Sequence, residues 1–380
     1  MSSKVELSSN NNNLNTTEAK PLWLSSATFA RVDPELYFER HLRQGLRPGT
    51  QRGLDDFRAI NSQRGSLTCV EEAAGQGSFG SCVVRSGQTS VVCGIVIGTT
   101  ETRGGGGIYT NVEILRGGFN SAPSGEEMVI SQRAGELVRA LGLGPSNFAV
   151  RVRTPEAEME EEQAEMEEEE GVGEVREEWE RERGIVVKRD RWLVYTAHVQ
   201  VLSRTGPPFD LVWAAIMGAL GDVDIPEFEE DDEGNLFCVG RRTGRKLDLP
   251  VGGAVSSTFG VATVDVSKNA DVFAEGLPDY DEDENMTSLS SSEEEEKESK
   301  PELKVVMLAD PDGEIEETCA SSRVNVVCNG EGRLYGFSFA AIGDDRLRGQ
   351  DLNHQGLVLE RAHIEQALGL AQERARKDVA

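Results

Sequence analysis

The chain has 380 residues, of which 38% are hydrophobic, and a formal net charge of −28. This length can form two or three domains, and no apolar run reaches the roughly 18 residues that a membrane-spanning helix needs. An evenly spread negative charge would exclude a nucleic-acid partner, because phosphates repel carboxylates. Most of the charge, however, lies in residues 156–182, with a net charge of −13, and in residues 279–298, with a net charge of −9. The remainder carries only −6, so the total charge does not decide the class of partner.

The cysteines and histidines give no sign of a disulfide framework or a metal site. The six cysteines are scattered without a CxxC pair, and the four histidines lack metal-ligand spacing. Several cysteines lie in apolar runs, as Cys93 does after Val91 and Val92, which is typical of buried thiols in a reducing compartment. The first residues also lack the charged and apolar blocks of a secretory signal. We expect no metal, no cofactor, and a location in the nucleus or the cytoplasm.

The first third of the chain is predicted to contain helix, then strands, then helix. Residues 1–32 are polar and predict a disordered tail, after which Asp33 and Pro34 form a typical helix start. Apolar residues at helical spacing predict a second helix over residues 125–143. Between the helices, β-branched runs separated by glycine and serine predict three antiparallel strands, at residues 66–70, 79–85 and 90–97. We expect the third strand to be central and buried on both faces.

The middle of the chain is predicted to hold a long hairpin and a buried helix. Residues 148–152 begin a strand, and residues 185–187 or 191–202 continue it or pair with it. The first acidic run then lies at a hairpin tip, where a long insertion carries little closure cost. Residues 209–220 are apolar on nearly all sides and predict a buried helix.

The last third is predicted to form a second sheet closed by a helix. Strands are expected at residues 259–266, 303–308, 323–328 and 333–339, and the closing amphipathic helix at 354–377. This order indicates an α+β fold of two halves, each with a sheet and a covering helix. We expect a disordered tail at 1–32, a first domain at 33–220 with an acidic insert at 155–183, and a second domain at 221–380 with an acidic insert at 276–302.

The common catalytic motifs are either absent from the sequence or lie among residues that do not fit them. Residues 75–80 read GQGSFG, but this GxGxxG run leads into a strand and no kinase motif follows it, which excludes a dinucleotide or kinase site. The four histidines are each expected to be structural, and there is no GxSxG elbow. The acidic residues of the body form no convincing catalytic pair; they are Asp210, Asp222, Asp224, Asp265 and Asp310.

Taken together and in order, several segments resemble the RNase PH superfamily, and more closely the ring subunits of the eukaryotic RNA exosome. LRPGTQRGLDDFR resembles the family's RPDGR-like entry, and GQTSVVCGI resembles its conserved strand pair. The matching segments are residues 46–58, 77–95, 123–127 with 131–132, 209–220 with 225–226, 255–260 and 309–317. The resemblance runs from about residue 34 to residue 377. It implies a two-half RNase PH-like fold, with a first half like domain 2 of ribosomal protein S5 and mixed or antiparallel sheets with covering helices.

Departures from the family pattern concern the residues that carry its chemistry. Phosphorolytic members place a catalytic aspartate before the buried helix, where this chain aligns Thr205, and threonine supplies no carboxylate. Their phosphate-binding arginine pair aligns to Gly125 and Glu126, where a carboxylate would repel phosphate. The resemblance therefore implies a non-catalytic subunit.

The resemblance also implies partners and a location. We expect other RNase PH-like subunits in a hexameric ring, S1/KH cap subunits, an associated exoribonuclease and single-stranded RNA, in the nucleus, nucleolus and cytoplasm and without a membrane. The candidate RNA contacts are Arg103, Arg116 and Arg133. Two alternatives stay open: an active phosphorolytic 3′–5′ exoribonuclease, and an acidic chaperone acting through its glutamate runs.

Overall fold

The computed structural model describes twelve stretches of the chain and leaves both acidic runs outside them. The described residues are 25–48, 52–70, 77–102, 106–116, 122–153, 185–231, 234–239, 245–249, 253–265, 303–320, 322–340 and 359–379. The acidic inserts predicted at 155–183 and at 276–302 lie outside the described residues, as does most of the predicted tail. Among the described helices, none is both long and apolar enough to cross a membrane.

An eight-stranded sheet forms the first half. Its strands are β1 (Asn61–Arg64), β4 (Gly80–Ser86), β5 (Thr89–Thr100), β6 (Gly107–Ile114), β7 (Ala149–Arg153), β8 (Ile185–Ser203), β9 (Glu227–Glu230) and β10 (Leu236–Val239). They lie in the order β1-β4-β5-β8-β7-β9-β10, with β6 also paired with β8. The β6–β8 and β7–β9 pairs are parallel, and the others are antiparallel. A separate pair, β2 (Cys69–Val70) and β3 (Gly77–Ser78), lies beside it.

The central strand β5 is buried on one face, not on both as its apolar run predicts. Val91, Cys93 and Ile95 are buried and belong to the largest core cluster, whereas Val96, on the opposite face, is 43% exposed. Among the described residues, the helices cover only the face that carries Val91, Cys93 and Ile95. Buried and more exposed residues therefore alternate along β5, as in a sheet covered on one side. The long hairpin predicted from residue 148 onward is confirmed, since β7 and β8 pair with Arg153 opposite Ile185.

Two helices cover the buried face of this sheet. Helix α3 (Gly125–Ala140) begins with a capping box, in which Ser124 Oγ accepts from the Glu127 N–H and the Glu127 carboxylate accepts from the Ser124 N–H. Helix α4 (Phe209–Asp222) is buried almost throughout, as predicted. It lies so close to β4 that a Cβ on Gly80 would sit 2.5 Å from the Ala219 carbonyl oxygen. Glycine is required there because only hydrogen fits between strand and helix.

A four-stranded antiparallel sheet forms the second half, in the order β12-β11-β13-β14. Its strands are β11 (Val255–Asp265), β12 (Leu303–Ala309), β13 (Ser322–Cys328) and β14 (Leu334–Ala340). Helices α5 (Gly313–Cys319) and α6 (Arg361–Val379) pack on it. Helix α4 also contacts β11, so it lies between the two sheets.

Of the two N-terminal helices, the second packs on the second half of the structure and the first packs on the second helix. Helices α1 (Ser26–Val32) and α2 (Pro34–Arg43) precede the first sheet in the chain. Phe38 and Leu42 of α2 nevertheless share a core cluster with Ala262 and Leu308 of the second sheet. The second half therefore buries the apolar face of α2, although the predicted first domain begins at residue 33.

Two further boundaries differ from the prediction. Helix α1 shows that the last residues of the predicted tail, 26–32, are helical, with Ser25 as the N-cap. The limit predicted between residues 220 and 221 falls inside α4, and β9 and β10 beyond it join the first sheet through β7. Because β9 pairs with β7 and β10 pairs with β9, the first half extends at least to Val239.

Candidate functional site

Thr205 lies in the short connection between β8 and α4, at a point where the two halves meet. Its hydroxyl donates to Asp312 Oδ1 at 2.8 Å and accepts from Arg58 Nη1 at 3.3 Å. Its backbone N–H donates to Thr89 Oγ1 at 3.2 Å, and its carbonyl accepts from the Gly313 N–H. Thr205 is therefore held on all sides by the protein itself.

Arg58 and Asp310 form the centre of this cluster. Arg58 Nη2 donates to Asp310 Oδ1 and Arg58 Nε to Oδ2, both at 2.7 Å, while the Arg58 N–H donates to Oδ2 at 3.0 Å. Burial alone would raise the pKa of Asp310, but the hydrogen bonds and charge of Arg58 outweigh it and lower that pKa. Asp310 has a φ of +50°, a left-handed conformation that aspartate tolerates better than most residues. The two hydrogen bonds of this ion pair offset two costs, that of the left-handed backbone at Asp310 and that of removing its carboxylate from water.

The remaining charges around Asp310 are also paired. Arg52 Nη1 lies 3.2 Å from Asp310 Oδ2, and Arg58 Nη1 donates to Asp312 Oδ1 at 2.7 Å. Arg47 and Glu316 form a fully buried pair, with Arg47 Nε donating to Glu316 Oε1 at 3.0 Å. Arg47, Arg52 and Arg58 thereby bind residues of the second half, although they precede the first sheet in the chain.

Gly125 and Glu126 lie at the N-terminus of α3, close to the same region. Glu126 Oε1 accepts from Arg204 Nη1 at 2.5 Å, and Arg204 is the residue immediately before Thr205. Arg204 also approaches Glu317 Oε1 at 3.8 Å, whereas open space surrounds Gly125. The structure therefore brings together the three positions that the sequence singled out, and it joins Glu126 to the Thr205 segment by an ion pair.

The charged side chains of this cluster are paired with one another. Its carboxylates, Asp310, Asp312 and Glu126, each lie against an arginine, and its arginines Arg58 and Arg204 each lie against a carboxylate. A phosphate ion would compete with these carboxylates for the same guanidinium groups. Across the stretches the structure describes, no group of three His, Cys, Asp or Glu side chains could hold a metal ion.

The arginines proposed as RNA contacts make intramolecular contacts where they are described. Arg116 pairs with Glu127, although the arginine side chain is partly exposed. Arg133 Nη2 donates to Asn325 Oδ1 at 2.6 Å, and its guanidinium lies 4.3 Å from the centre of the Phe209 ring. Arg103 lies outside the described residues. The two described candidates, Arg116 and Arg133, are thus each engaged by side chains of the protein itself.

Asp210 is the centre of a second buried network that the sequence did not reveal. Its carboxylate accepts from Ser256 Oγ at 2.7 Å, from the Thr258 N–H at 2.8 Å and from Thr258 Oγ1 at 2.7 Å. Asn325 Nδ2 and Arg374 Nη1 approach it at 3.1 and 3.3 Å. The network joins α4 to β11, β13 and α6, so Asp210 fastens the two halves together.

Sequence reasoning missed the partners that define the candidate site. Arg52 and Arg58 lie inside the quoted LRPGTQRGLDDFR segment, which was the available signal, and Asp310 and Asp312 lie inside the quoted segment at 309–317. Their ion pairs join residues more than 250 positions apart. Pairing over such a separation leaves no pattern along the chain.

Comparison with known proteins finds a family model that matches most of the first half. Residues 56–226 match the model of the 3′ exoribonuclease family, domain 1. An Archaeoglobus fulgidus exosome structure with RNA bound to the active site is 14% identical to this chain, covers 90% of it and 95% of the archaeal chain, and has a TM-score of 0.49. A structure described as an archaeal exosome core is likewise 14% identical, covers 91% of this chain and 94% of the other, and has a TM-score of 0.49. The match over residues 56–226, together with the observed helices and strands, confirms the expected α+β, RNase PH-like fold.

Proposed function

We propose that this chain is a non-catalytic subunit of an exosome-type ring of RNase PH-like proteins, of the ribosomal RNA-processing protein 43 type. The observation that carries the proposal is the environment of Thr205. At the position aligned with the family's catalytic aspartate, a hydroxyl donates to Asp312 and accepts from Arg58. A threonine side chain has no carboxyl group, so it cannot replace the aspartate as a general acid or base at neutral pH.

The region aligned with the family's phosphate-binding arginines supports the same proposal. Glu126 presents a carboxylate at the start of α3, and the adjacent cation, Arg204, is already paired with it. Binding of inorganic phosphate would require this ion pair to break and leave the carboxylate beside another anion. Phosphorolysis needs phosphate as a reactant, so both substitutions act against it.

In this role the chain would hold neighbouring subunits and help to guide RNA 3′ ends to a nuclease elsewhere in the assembly. The partners would be other RNase PH-like subunits in a hexameric ring, S1/KH cap subunits, an associated exoribonuclease and single-stranded RNA. The reactions supported would be 3′–5′ RNA degradation and RNA 3′-end processing, including that of ribosomal RNA, in the nucleus, nucleolus and cytoplasm.

The test has an assembly arm and an activity arm. Native purification through a tag on this chain, followed by mass spectrometry, should recover RNase PH-like subunits at equal stoichiometry. The purified chain should not shorten a 3′-extended RNA oligonucleotide in the presence of inorganic phosphate. Recovery of a lone monomer would overturn the ring proposal, and phosphate-dependent shortening would establish the active exoribonuclease instead.

A deletion variant separates the ring proposal from action through the acidic runs. Removing residues 156–182 and 279–298 takes away 22 units of negative charge (−13 and −9). The ring should still assemble, because long surface insertions of this kind carry little closure cost and are expected to lie outside the folded core. Loss of a chaperone activity on deletion, with no ring in either form, would favour the acidic chaperone.

A further inference from the structure

Two free thiols lie directly opposite each other in the core of the first half. Cys82 of β4 and Cys93 of β5 are register partners, and both side chains are fully buried. Opposite residues of an antiparallel pair share one face of the sheet, so both thiols point towards the helices that cover it. A Cβ atom on Gly218 of α4 would lie 2.5 Å from the Cys82 Sγ, which places this thiol directly against the helix.

The spacing of these two residues suits a disulfide bond. The Cα atoms of opposite residues in an antiparallel pair lie about 4.5–5.5 Å apart. Disulfides join residues whose Cα atoms lie about 4.4–6.8 Å apart. A bond between Cys82 and Cys93 therefore requires no separation of β4 from β5.

Arg64 covers Cys82 at the side of the sheet where the order of described strands begins with β1. It is the register partner of Cys82 in β1, a strand whose four residues are all exposed. Its side chain lies across α4, with Nε 3.9 Å and Nη1 3.6 Å from the positions that Cβ atoms on Gly218 and Gly221 would take. Movement of this one exposed side chain therefore opens a path from solvent to Cys82.

The charges around the two thiols decide which of them reacts first. Burial raises the pKa of Cys82; the positive charge of Arg64 opposes this rise, and the charge of Asp222 adds to it. Burial also raises the pKa of Cys93, and the neighbouring Cys82 adds to that rise. The thiolate is the nucleophile, and a nearby cation favours it. Cys82 is therefore the attacking thiol, and Cys93 is the thiol that completes the bond.

We propose that Cys82 and Cys93 form a dithiol site, which hydrogen peroxide oxidises to a cross-strand disulfide when the Arg64 side chain moves aside. The Cys82 thiolate attacks one peroxide oxygen, the O–O bond breaks, and a sulfenic acid forms while the released hydroxide takes up the thiol proton as water. The Cys93 sulfur then attacks the Cys82 sulfur, the S–O bond breaks, and the hydroxyl group leaves with the second thiol proton as water. Two thiols and one hydrogen peroxide thus give one disulfide and two water molecules. This chemistry needs no other subunit, so it holds whether or not the chain assembles into a ring.

The first test identifies the product. The full chain is treated with hydrogen peroxide, its remaining thiols are blocked, and trypsin releases residues 65–85 and 86–103, which contain Cys82 and Cys93. Mass spectrometry should find these two peptides joined by a bond that a reductant cleaves. Residues 65–85 also contain Cys69, so Cys69→Ser should keep the crosslink and Cys82→Ser should lose it. Loss of the crosslink in Cys69→Ser, or its absence from the unmodified chain, would overturn the proposal.

The second test separates local access from general unfolding. Cys328 of β13 is also buried, but its register partners are Val255 and Leu334, so no thiol lies opposite it. The Cys82–Cys93 disulfide should form at least about tenfold faster than Cys328 is oxidised in the same sample, because local opening costs less free energy than global unfolding. Equal rates would show that the thiols react only in the unfolded chain, and they would overturn the site.

A pair of variants tests the part that Arg64 plays. Arg64→Met keeps a long side chain over Cys82 without the charge, whereas Arg64→Ser removes both the charge and the cover. Arg64→Ser should form the disulfide at least about fivefold faster than Arg64→Met, because neither carries the cation and only one leaves Cys82 uncovered. Cys328 in the same samples serves as the control and should be oxidised at the same rate in both variants. Equal rates of disulfide formation in the two variants would overturn the role of Arg64 as the cover of the site.

Discussion

Thr205 donates its hydroxyl hydrogen to Asp312 Oδ1 across 2.8 Å, although 107 positions separate the two residues in the chain. Arg58 donates to the same carboxylate oxygen at 2.7 Å and reaches back to the Thr205 hydroxyl. The connection before α4 and the turn before α5 are thus joined by a residue that precedes the first sheet. Thr205, which the sequence resemblance singled out, therefore lies within a cluster of ion pairs between distant segments.

Substitution Thr205→Asp should not create phosphorolytic activity and should destabilise the chain. Aspartate cannot donate to Asp312 when ionised, and it adds a third carboxylate beside Asp310 and Asp312. We expect a loss of about 1–3 kcal/mol, the usual cost of an unsatisfied buried group, measured by urea unfolding. Thr205→Ser, which keeps the donor, should unfold near the urea concentration of the unmodified chain. Phosphate-dependent shortening of RNA by Thr205→Asp would contradict the prediction.

Substitution Arg58→Gln should be strongly destabilising. It leaves the buried carboxylate of Asp310 without its two-point partner, and removing one member of a buried ion pair costs about 3–5 kcal/mol. Urea unfolding monitored by circular dichroism provides the measurement. Arg85→Gln, on the exposed face of β4, is the matched control and should change the unfolding free energy by less than about 0.5 kcal/mol. Equal effects of the two variants would show that the Asp310 pair contributes little.

Acid sensitivity should depend on Glu127. Burial alone would raise the pKa of Glu127, but hydrogen bonds from Arg116, the Ile114 N–H and Ser124 outweigh it and hold that pKa at about 2, below the ordinary 4.5. Because the folded pKa is the lower one, the stabilisation is fully present above about pH 4.5 and is lost as the pH falls towards 2.

Glu127→Gln should therefore lower the unfolding free energy near neutral pH and flatten its decline between pH 4.5 and pH 2. Urea unfolding at a series of pH values measures both effects. Glu113→Gln, at an exposed position of β6, is the control and should leave the acid decline unchanged. An identical acid decline in Glu127→Gln and the unmodified chain would refute the assignment.

Substitution Asp210→Ala should loosen the contact between the two halves. The change leaves Arg374, Asn325 and Thr258 without their shared acceptor in a buried site, at a cost of about 3–5 kcal/mol. Hydrogen exchange should accelerate in β11 and α6 before it does so in β5, because the network joins the second sheet to α4. Asp248→Ala, an exposed position, is the control. Uniform acceleration throughout the chain would indicate a general loss of stability instead.

The order of strands and helices was predictable from residues close together in the chain. Pro34 after Asp33 indicated α2, and the apolar surface on nearly all sides of residues 209–220 indicated the buried helix α4, and both are confirmed. Such patterns report a local preference or a face to be buried. They do not report which partner buries that face, so α2 was assigned to the first half although it packs on the second.

The candidate site was predictable only in part, for the same physical reason. Its unusual positions, Thr205, Gly125 and Glu126, were identifiable by resemblance to a family pattern. The ion pairs between Arg58 and Asp310, and between Arg204 and Glu126, follow from strand pairing and helix packing that bring distant segments to one place. The position of a charged residue along the chain does not indicate which distant residue will form an ion pair with it.

The sequence alone determined where charge, helix and strand lie along the chain, and its concentration of negative charge in two runs left a mildly acidic body. These properties depend on composition and on residues within a few positions of one another. Only the tertiary structure decided that Arg47, Arg52 and Arg58 bind the second half, and that Asp210 joins both halves. Contacts of this kind depend on which surfaces meet when the two sheets pack around α4.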